Sequence, residues 1–175
     1  MAEARARGVD ATCETCPHYL FLREADMESP LAKCAPPIRA PEPLWECLDA
    51  IQLVASDHSP SPPELKDPDD YFFAWGGIAG AQTTLPLLLT QADPATAARL
   101  TASGPAARFG LKGKGAIAPG NDADLALIDL ATHALTAGEL RYRHRISPFL
   151  GRPVATVTRT LVRGKRPEHG KLLRP

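Results

Sequence analysis

Residues 51–65 read IQLVASDHSPSPPEL, and the fold turns on them. Ile51–Ser56 is continuous in apolar character, as strands of a parallel sheet buried on both faces are. The run drives straight into Asp57 and His58, and Pro60, Pro62 and Pro63 stiffen the loop beyond them. A carboxylate at the mouth of a buried strand costs free energy unless it has a partner. A metal ion or a proton-transfer role offsets that cost. A turn or helix N-cap ahead of Ser-Pro is the other explanation, and spacing alone leaves both open.

Two segments upstream end in the same manner. Val9–Thr15 reads as a strand ending at Cys16-Pro17-His18, and Leu31–Ala35 as a second ending at Pro36-Pro37. Helices are expected at Ala2–Arg7, closed by Gly8, and at Glu42–Ala50. A third runs from Gly76 to about Gln91, with Pro86 kinking it or marking its first turn. Pro94–Ser103 and Pro105–Phe109 are two more, each with proline near its start. Strand–loop–helix repetition of this kind argues for α/β architecture. In a βα barrel, functional residues gather at the C-terminal strand ends, where His18 and Asp57 stand. Beyond residue 112 the character changes. A Pro-Gly turn precedes an alternating strand at Asp124–Asp129, and Ala155–Arg163 is rich in β formers. The chain thus divides into a barrel-like part over 1–112 and a β-rich appendage with a basic tail over 113–175.

The composition is globular, with 175 residues, 44% hydrophobic and 23% charged. No apolar run approaches the roughly 20 residues that span a bilayer. The start, MAEARARGVD, lacks the apolar centre of a signal peptide. A cytoplasmic protein with no membrane partner is the expectation. Net charge is zero but uneven, since from Glu139 onward ten Lys and Arg stand against two acids. That tail lacks interleaved aromatics, so it reads as packing on an acidic surface rather than as a nucleic-acid arm. Cys13-Glu-Thr-Cys16 is a CxxC, but no second pair completes a zinc ribbon. In a strand the two thiols point to opposite faces, so buried reduced cysteines are the reading that fits. His133, His144 and His169 lie in polar or arginine-rich contexts and read as surface residues.

Taken in order, TCETCPHYLFL (12–22), KCAPPIR (33–39), VASDHSP (54–60) and AWGGIAGAQTTLPLLL (74–89) resemble the cyclic amidohydrolases. WGGIAG, together with CPHY and SDHSP, is more similar to the allantoinase branch than to the dihydroorotase or hydantoinase branches, which stay the alternatives. GAIAPGNDADLALIDL (115–130) and TRTLVRGK (158–165) resemble the C-terminal end of the wider superfamily.

The resemblance implies the C-terminal portion, strands 6 to 8, of a metal-dependent (β/α)8 barrel, with part of a small β-sandwich. It implies a hydrolase that opens a small cyclic amide or ureide, allantoin giving allantoate. It further implies two divalent metals, zinc first among them, bridged by hydroxide, and a homotetramer. By this resemblance His18 matches a metal-binding histidine at the end of strand 6. Asp57 matches the strand 8 aspartate, which binds one metal and handles the proton of the bridging water. The segment at Ala35 and the Gly76-Gly77 turn match backbone positions that hydrogen-bond the substrate ring, although serine is common where Ala35 stands. His58 belongs to the motif but matches no ligand. The family's His-x-His, carboxylated lysine and strand 5 histidine have no counterpart in this chain. An inactive remnant or a non-catalytic assembly module is therefore the second reading.

Overall fold

The computed structural model describes residues 1–66 and 71–167. Its two parallel strands are short: β1 is Glu14–Thr15 and β2 is Leu53–Val54, with Glu14 opposite Leu53 and Thr15 opposite Val54. Backbone bonds lengthen the pairing at both ends. The Gln52 amide donates to the Cys13 carbonyl at 3.0 Å, and the Ala55 amide donates to Thr15 at 2.9 Å. The Cys13 amide in turn donates to Gln52 Oε1 at 2.8 Å. Leu53 and Val54 are both buried, as the apolar run predicts.

The strand expected at Leu31–Ala35 does not form. Pro30–Ala32 is a 3-10 turn opened by Ser29, whose Oγ accepts the Leu31 amide at 3.3 Å. Prolines at 30, 36 and 37 flank this short segment and lack the amide that would extend a ladder at either end, which suits a turn and not a strand. β1 and β2 are therefore immediate neighbours. His18 lies one strand nearer to the Asp57 strand than the strand 6 match implies.

Helix α1 spans Ala2–Ala6, and Gly8 comes just after it at φ +83°. Helix α2, Pro17–Phe21, starts directly after β1 with proline in its first turn. Helix α3 is Glu42–Glu46, succeeded by a 3-10 turn at Leu48–Ala50. Helix α4 is Thr84–Leu88, and Pro86 indeed lies in its first turn. The two helices expected after Asp93 run together. Helix α5, Pro94–Ala98, passes through a π turn at Arg99–Ser103 into α6, Gly104–Arg108. The π turn falls just ahead of Pro105, whose missing N–H interrupts the ordinary ladder. Arg99 reaches from this run to the segment that leads into β2, donating to the carbonyls of Ile51 at 2.7 Å and Leu48 at 3.3 Å.

Downstream, β3 (Leu125–Ala134) pairs antiparallel with β4 (Pro153–Leu161), with register shifts between Leu127 and Ile128 and between Asp129 and His133. β3 outruns the expected Asp124–Asp129 because pairing resumes past the second irregularity. Leu135, Phe149 and Val154 join Leu20, Ile51 and Leu100 in one buried cluster. The hairpin and the βα part thus share a core. Arg152 pairs with Asp26 at 2.6 Å and donates to the Phe21 carbonyl at 3.1 Å. That basic residue packs on its own chain as expected of the tail. The stretch from 168 on, including His169, lies outside the described residues. Among the described residues, no helix is long and apolar enough to cross a membrane.

Candidate metal centre and active site

β1 and β2 deliver their side chains to one place. Asp57 comes after β2 with φ +43°, a left-handed conformation that aspartate tolerates better than most residues. Its side chain is 58% exposed. The burial expected from sequence is therefore absent, because the strand ends before Asp57 and the carboxylate stands at the open mouth. His18, in the first turn of α2, is the reverse: it is 1% exposed and its Nε2 has no hydrogen-bond partner. Nε2 lies 3.8 Å from Asp57 Oδ2. Burial lowers the His18 pKa and the Asp57 charge only partly opposes this. The imidazole is therefore neutral at neutral pH, the form that coordinates a metal.

Cys16 completes the group. Its backbone is extended, at φ −126° and ψ 156°, as it caps α2. Its sulfur, a His18 ring nitrogen and an Asp57 oxygen all lie within 4.8 Å of one another. Burial, then the charges of Asp57 and Glu14 and the neighbouring Cys34, push its thiol pKa up to about 12. Sequence reasoning misses Cys16 because it weighs Cys13 and Cys16 as one CxxC pair in a strand-like run, although the expected strand itself ends at Thr15. The strand stops at Thr15, so Cys16 and His18 leave it in a turn and converge. The one available signal is the Pro17 between them, which starts a helix. Nitrogen, oxygen and sulfur donors so arranged suit a divalent metal of the zinc class.

His58 points elsewhere. Its Nδ1 accepts the amides of Gly80 at 3.2 Å and Ala81 at 3.3 Å, and its ring lies tilted against Tyr142, 5.1 Å between centroids. Its role is to tie the end of β2 to the glycine segment, helped by the Ser59 amide donating to Ile78 at 2.9 Å. The sequence predicts a helix opening in that segment, but the helix begins only at Thr84. The glycines serve close approach instead. A Cβ on Gly77 falls 2.3 Å from Ser59 Oγ, and one on Gly80 falls 2.6 Å from the Ser56 carbonyl oxygen. Gly77 is thus beside Ser59, two residues past Asp57, whereas Gly76 is exposed with open space at its Cβ position. Ala35 is exposed, and the Tyr19 hydroxyl donates to the adjoining Pro36 carbonyl at 3.0 Å. Behind this segment lies Lys66, which nothing in its sequence neighbourhood singles out. Its buried ammonium donates to the carbonyls of Pro30 at 3.0 Å and Lys33 at 3.3 Å, and burial lowers its pKa to about 8.

No family model matches the chain. Its fold is shared with hydantoinases. It superposes on the L-hydantoinase (dihydropyrimidinase) of Arthrobacter aurescens with TM-score 0.88 and 34% identity, over 98% of this chain and 42% of that one. The dihydropyrimidinase of Brevibacillus agri gives 0.83 and 28%, over 94% and 41%. Fold and sequence thus liken the chain to enzymes of the cyclic amidohydrolase class. Within it, the chain is homologous to allantoinases. It is 48% identical to the allantoinase of Rubrobacter xylanophilus over 94% of this chain and 40% of the relative. It is 43% identical to that of Bacillus licheniformis over 94% and 39%. The chain spans about two fifths of the length of these relatives.

Proposed function

We propose that this chain carries the Asp57 side of an allantoinase-type active site. The reaction is hydrolysis of a ring amide in a cyclic ureide, allantoin giving allantoate. One observation carries the reading: the Asp57 carboxylate and the unpartnered His18 Nε2 face each other across adjacent strand ends, in a chain 48% identical to an allantoinase. Identities of 42–48% with allantoinases against 25–34% with the hydantoinase-type structures favour the ureide over the simple hydantoin ring.

His18 and Asp57 are the residues to hold a divalent metal, zinc in the first instance, with further ligands supplied by the part of the relatives that this chain does not span. When bound, such a metal lowers the pKa of water and polarises a carbonyl. The protein's own steps are proton steps. Asp57 orients the attacking water, takes its proton as the new C–O bond forms, and returns it to the ring nitrogen as the C–N bond breaks. Backbone groups at Ala35 and Gly76–Gly77 fix the ring, and the open space at Gly76 suits that role. A tetramer of the whole protein is part of the same proposal.

The test is co-expression with the remaining portion of an allantoinase, then assay of ring opening on allantoin, hydantoin and dihydroorotate. Allantoin is expected to be preferred. Turnover that survives Asp57→Ala overturns the role of Asp57, and a preference for hydantoin overturns the choice of substrate. The chain alone is expected to show no turnover, since His18 and a mostly exposed Asp57 do not by themselves make the family's site.

A further inference from the structure

We propose that Gln82 is a positioning residue for Asp57, and that it acts by clamping residues 139–141 of the β appendage to the glycine segment. The proposal rests on the proton role given to Asp57 above. It adds what none of the matched site residues supplies: a hold on the Asp57 backbone from a hairpin far along the chain.

One glycine brackets Asp57 on both sides. A Cβ on Gly80 falls 2.6 Å from the carbonyl oxygen of Ser56, the residue before Asp57. The Gly80 amide donates to His58, the residue after it, at 3.2 Å. The Gly80 carbonyl is fixed in turn by the Thr83 and Thr84 amides, both at 3.1 Å, and by the Thr84 hydroxyl at 2.8 Å. Whatever holds residues 80–84 therefore holds the left-handed turn at Asp57.

Gln82 turns both ends of its side chain, and its own amide, to the appendage. Nε2 donates to the Glu139 carbonyl at 2.9 Å, and Oε1 accepts the Arg141 amide at 2.7 Å. This pairs the donor and acceptor of one side-chain amide with two backbone groups, which fixes register as well as distance. The Gln82 amide donates to the Tyr142 hydroxyl at 2.9 Å, and the Tyr142 ring lies against His58. The far side is anchored too. Glu139 bonds to His133 of β3 at 2.6 Å and accepts the Thr136 amide at 2.8 Å. Contacts thus run unbroken from β3 through Glu139 and Gln82 to Gly80, and from there to either side of Asp57. A residue needed only to start α4 would cap that helix's free amides, as Asp93 does for α5. No side chain caps α4, and the Gln82 side chain bonds instead to residues 57 and 59 positions further along.

The experiment measures amide exchange by NMR on the full 175-residue chain, and turnover in the co-expressed protein. Gln82→Ala is expected to speed exchange at Ser59, Gly80 and Ala81 by at least about tenfold, since two hydrogen bonds of the clamp are lost. Exchange at Gln52 and Ala97, bonded in the β1–β2 pairing and in α5, is expected to stay within about twofold of the parent, because a local opening leaves other units closed. In the co-expressed protein, Gln82→Ala is expected to lower kcat on allantoin about 10–100-fold, the effect of an acid displaced by about 1 Å. KM is expected to stay within about twofold, since ring binding is untouched. Gln82→Glu keeps the acceptor for the Arg141 amide and is expected to recover part of both losses. Thr158→Val, which removes a side-chain bond to Leu127 elsewhere in the hairpin, is expected to change neither. A further readout needs no variant. In the unmutated chain, the amides of Gly80, Gln82 and Arg141, corrected for intrinsic rates, are expected to exchange within about threefold of one another, as parts of one opening unit.

Arg141 exchanging at least about tenfold faster than Gly80 in the unmutated chain would overturn the proposal, since the clamp would then open without the loop. Exchange at Ser59 and Gly80 left unchanged by Gln82→Ala would do the same, as would a rise shared equally by Gln52 and Ala97, or a kcat equal to the parent's. Failure of the hydrolytic reading leaves a different record: the local rise in exchange present, with turnover that survives Asp57→Ala.

Discussion

Gly104 stands where the helical run crosses β2, and replacing it by alanine tests how the Asp57 strand is held. A Cβ built there meets the Gln52 carbonyl oxygen at 2.1 Å and the Arg99 carbonyl oxygen at 2.7 Å. An ordinary carbon–oxygen contact is about 3.3–3.6 Å, so both neighbours must give by most of an ångström or more. Both are backbone atoms. Gln52 cannot retreat freely, because its amide bonds to Cys13 in the β1–β2 ladder. Two effects oppose each other. Gly104 has helical angles, φ −62° and ψ −54°, so alanine gains about 1 kcal/mol of helix propensity. Overpacking costs about 1–3 kcal/mol and occasionally more, and a clash against backbone on two sides belongs at the upper end.

The expected net effect of Gly104→Ala is a loss of about 1–2 kcal/mol, or about 2–8 °C in Tm for a chain of this size. Urea and thermal unfolding monitored by circular dichroism measure it. Gly76→Ala is the control, since Gly76 has nothing within 4 Å of its Cβ position; its stability is expected to stay within about 0.5 kcal/mol of the parent. A Gly104→Ala protein as stable as the parent, or more so, would refute the close crossing. With it would go the account in which the helical run and Arg99 fix β2 and so place Asp57.

The contacts around the strand ends set three more expectations. Asp57→Asn, which tolerates the same left-handed backbone, is expected to lower turnover of the co-expressed protein by about 10²–10⁴-fold. The same change is expected to leave the unfolding midpoint in place. His58→Ala leaves the amides of Gly80 and Ala81 without their acceptor, and a loss of about 1–2 kcal/mol in urea unfolding is expected, partly restored by His58→Asn. Lys66 has a folded pKa of about 8 against an ordinary value of 10.5, so between those values the unfolded chain binds more protons and stability rises with pH. The destabilisation is fully present below about pH 8 and gone above about 10.5. Unfolding free energies across that range should therefore climb in the parent relative to Lys66→Met, and parallel curves would contradict the burial of the charge.

The legible parts of the chain are those whose signal is local. Proline at the start of α2 and α5, the Asp93 cap that accepts two amides, and the apolar run into β2 are written in neighbouring residues. The illegible parts depend on partners far along the chain. Leu31–Ala35 has strand-like composition, but a strand exists only through its ladder, and the prolines around it suit a turn packed over Lys66. The Gly76–Gly80 stretch looks like a helix start. Its use as a close-packed loop depends on Ser56, His58 and Ser59, some 20 residues away in sequence. Cys16 is hidden for a related reason: opposite faces hold within a strand, and the strand ends one residue earlier.

The group at the strand ends is unequal in a way that bears on what it is for. His18 and Cys16 are held rigidly, one in a helix turn and the other at its cap, both buried. Asp57 is largely exposed on a left-handed backbone. A purely structural ion pair needs the acid to seek the base, yet the imidazole is neutral by burial and the 3.8 Å separation exceeds hydrogen-bond reach. A core histidine needs its nitrogen satisfied, yet Nε2 is not. Both departures from ordinary packing would be removed by the divalent metal proposed above for His18 and Asp57. Of the three groups, the Asp57 carboxylate is the exposed one. Buried donors behind and an exposed acid in front suit the hydrolytic metal site proposed above, with the solvent side of Asp57 as the face open to a substrate.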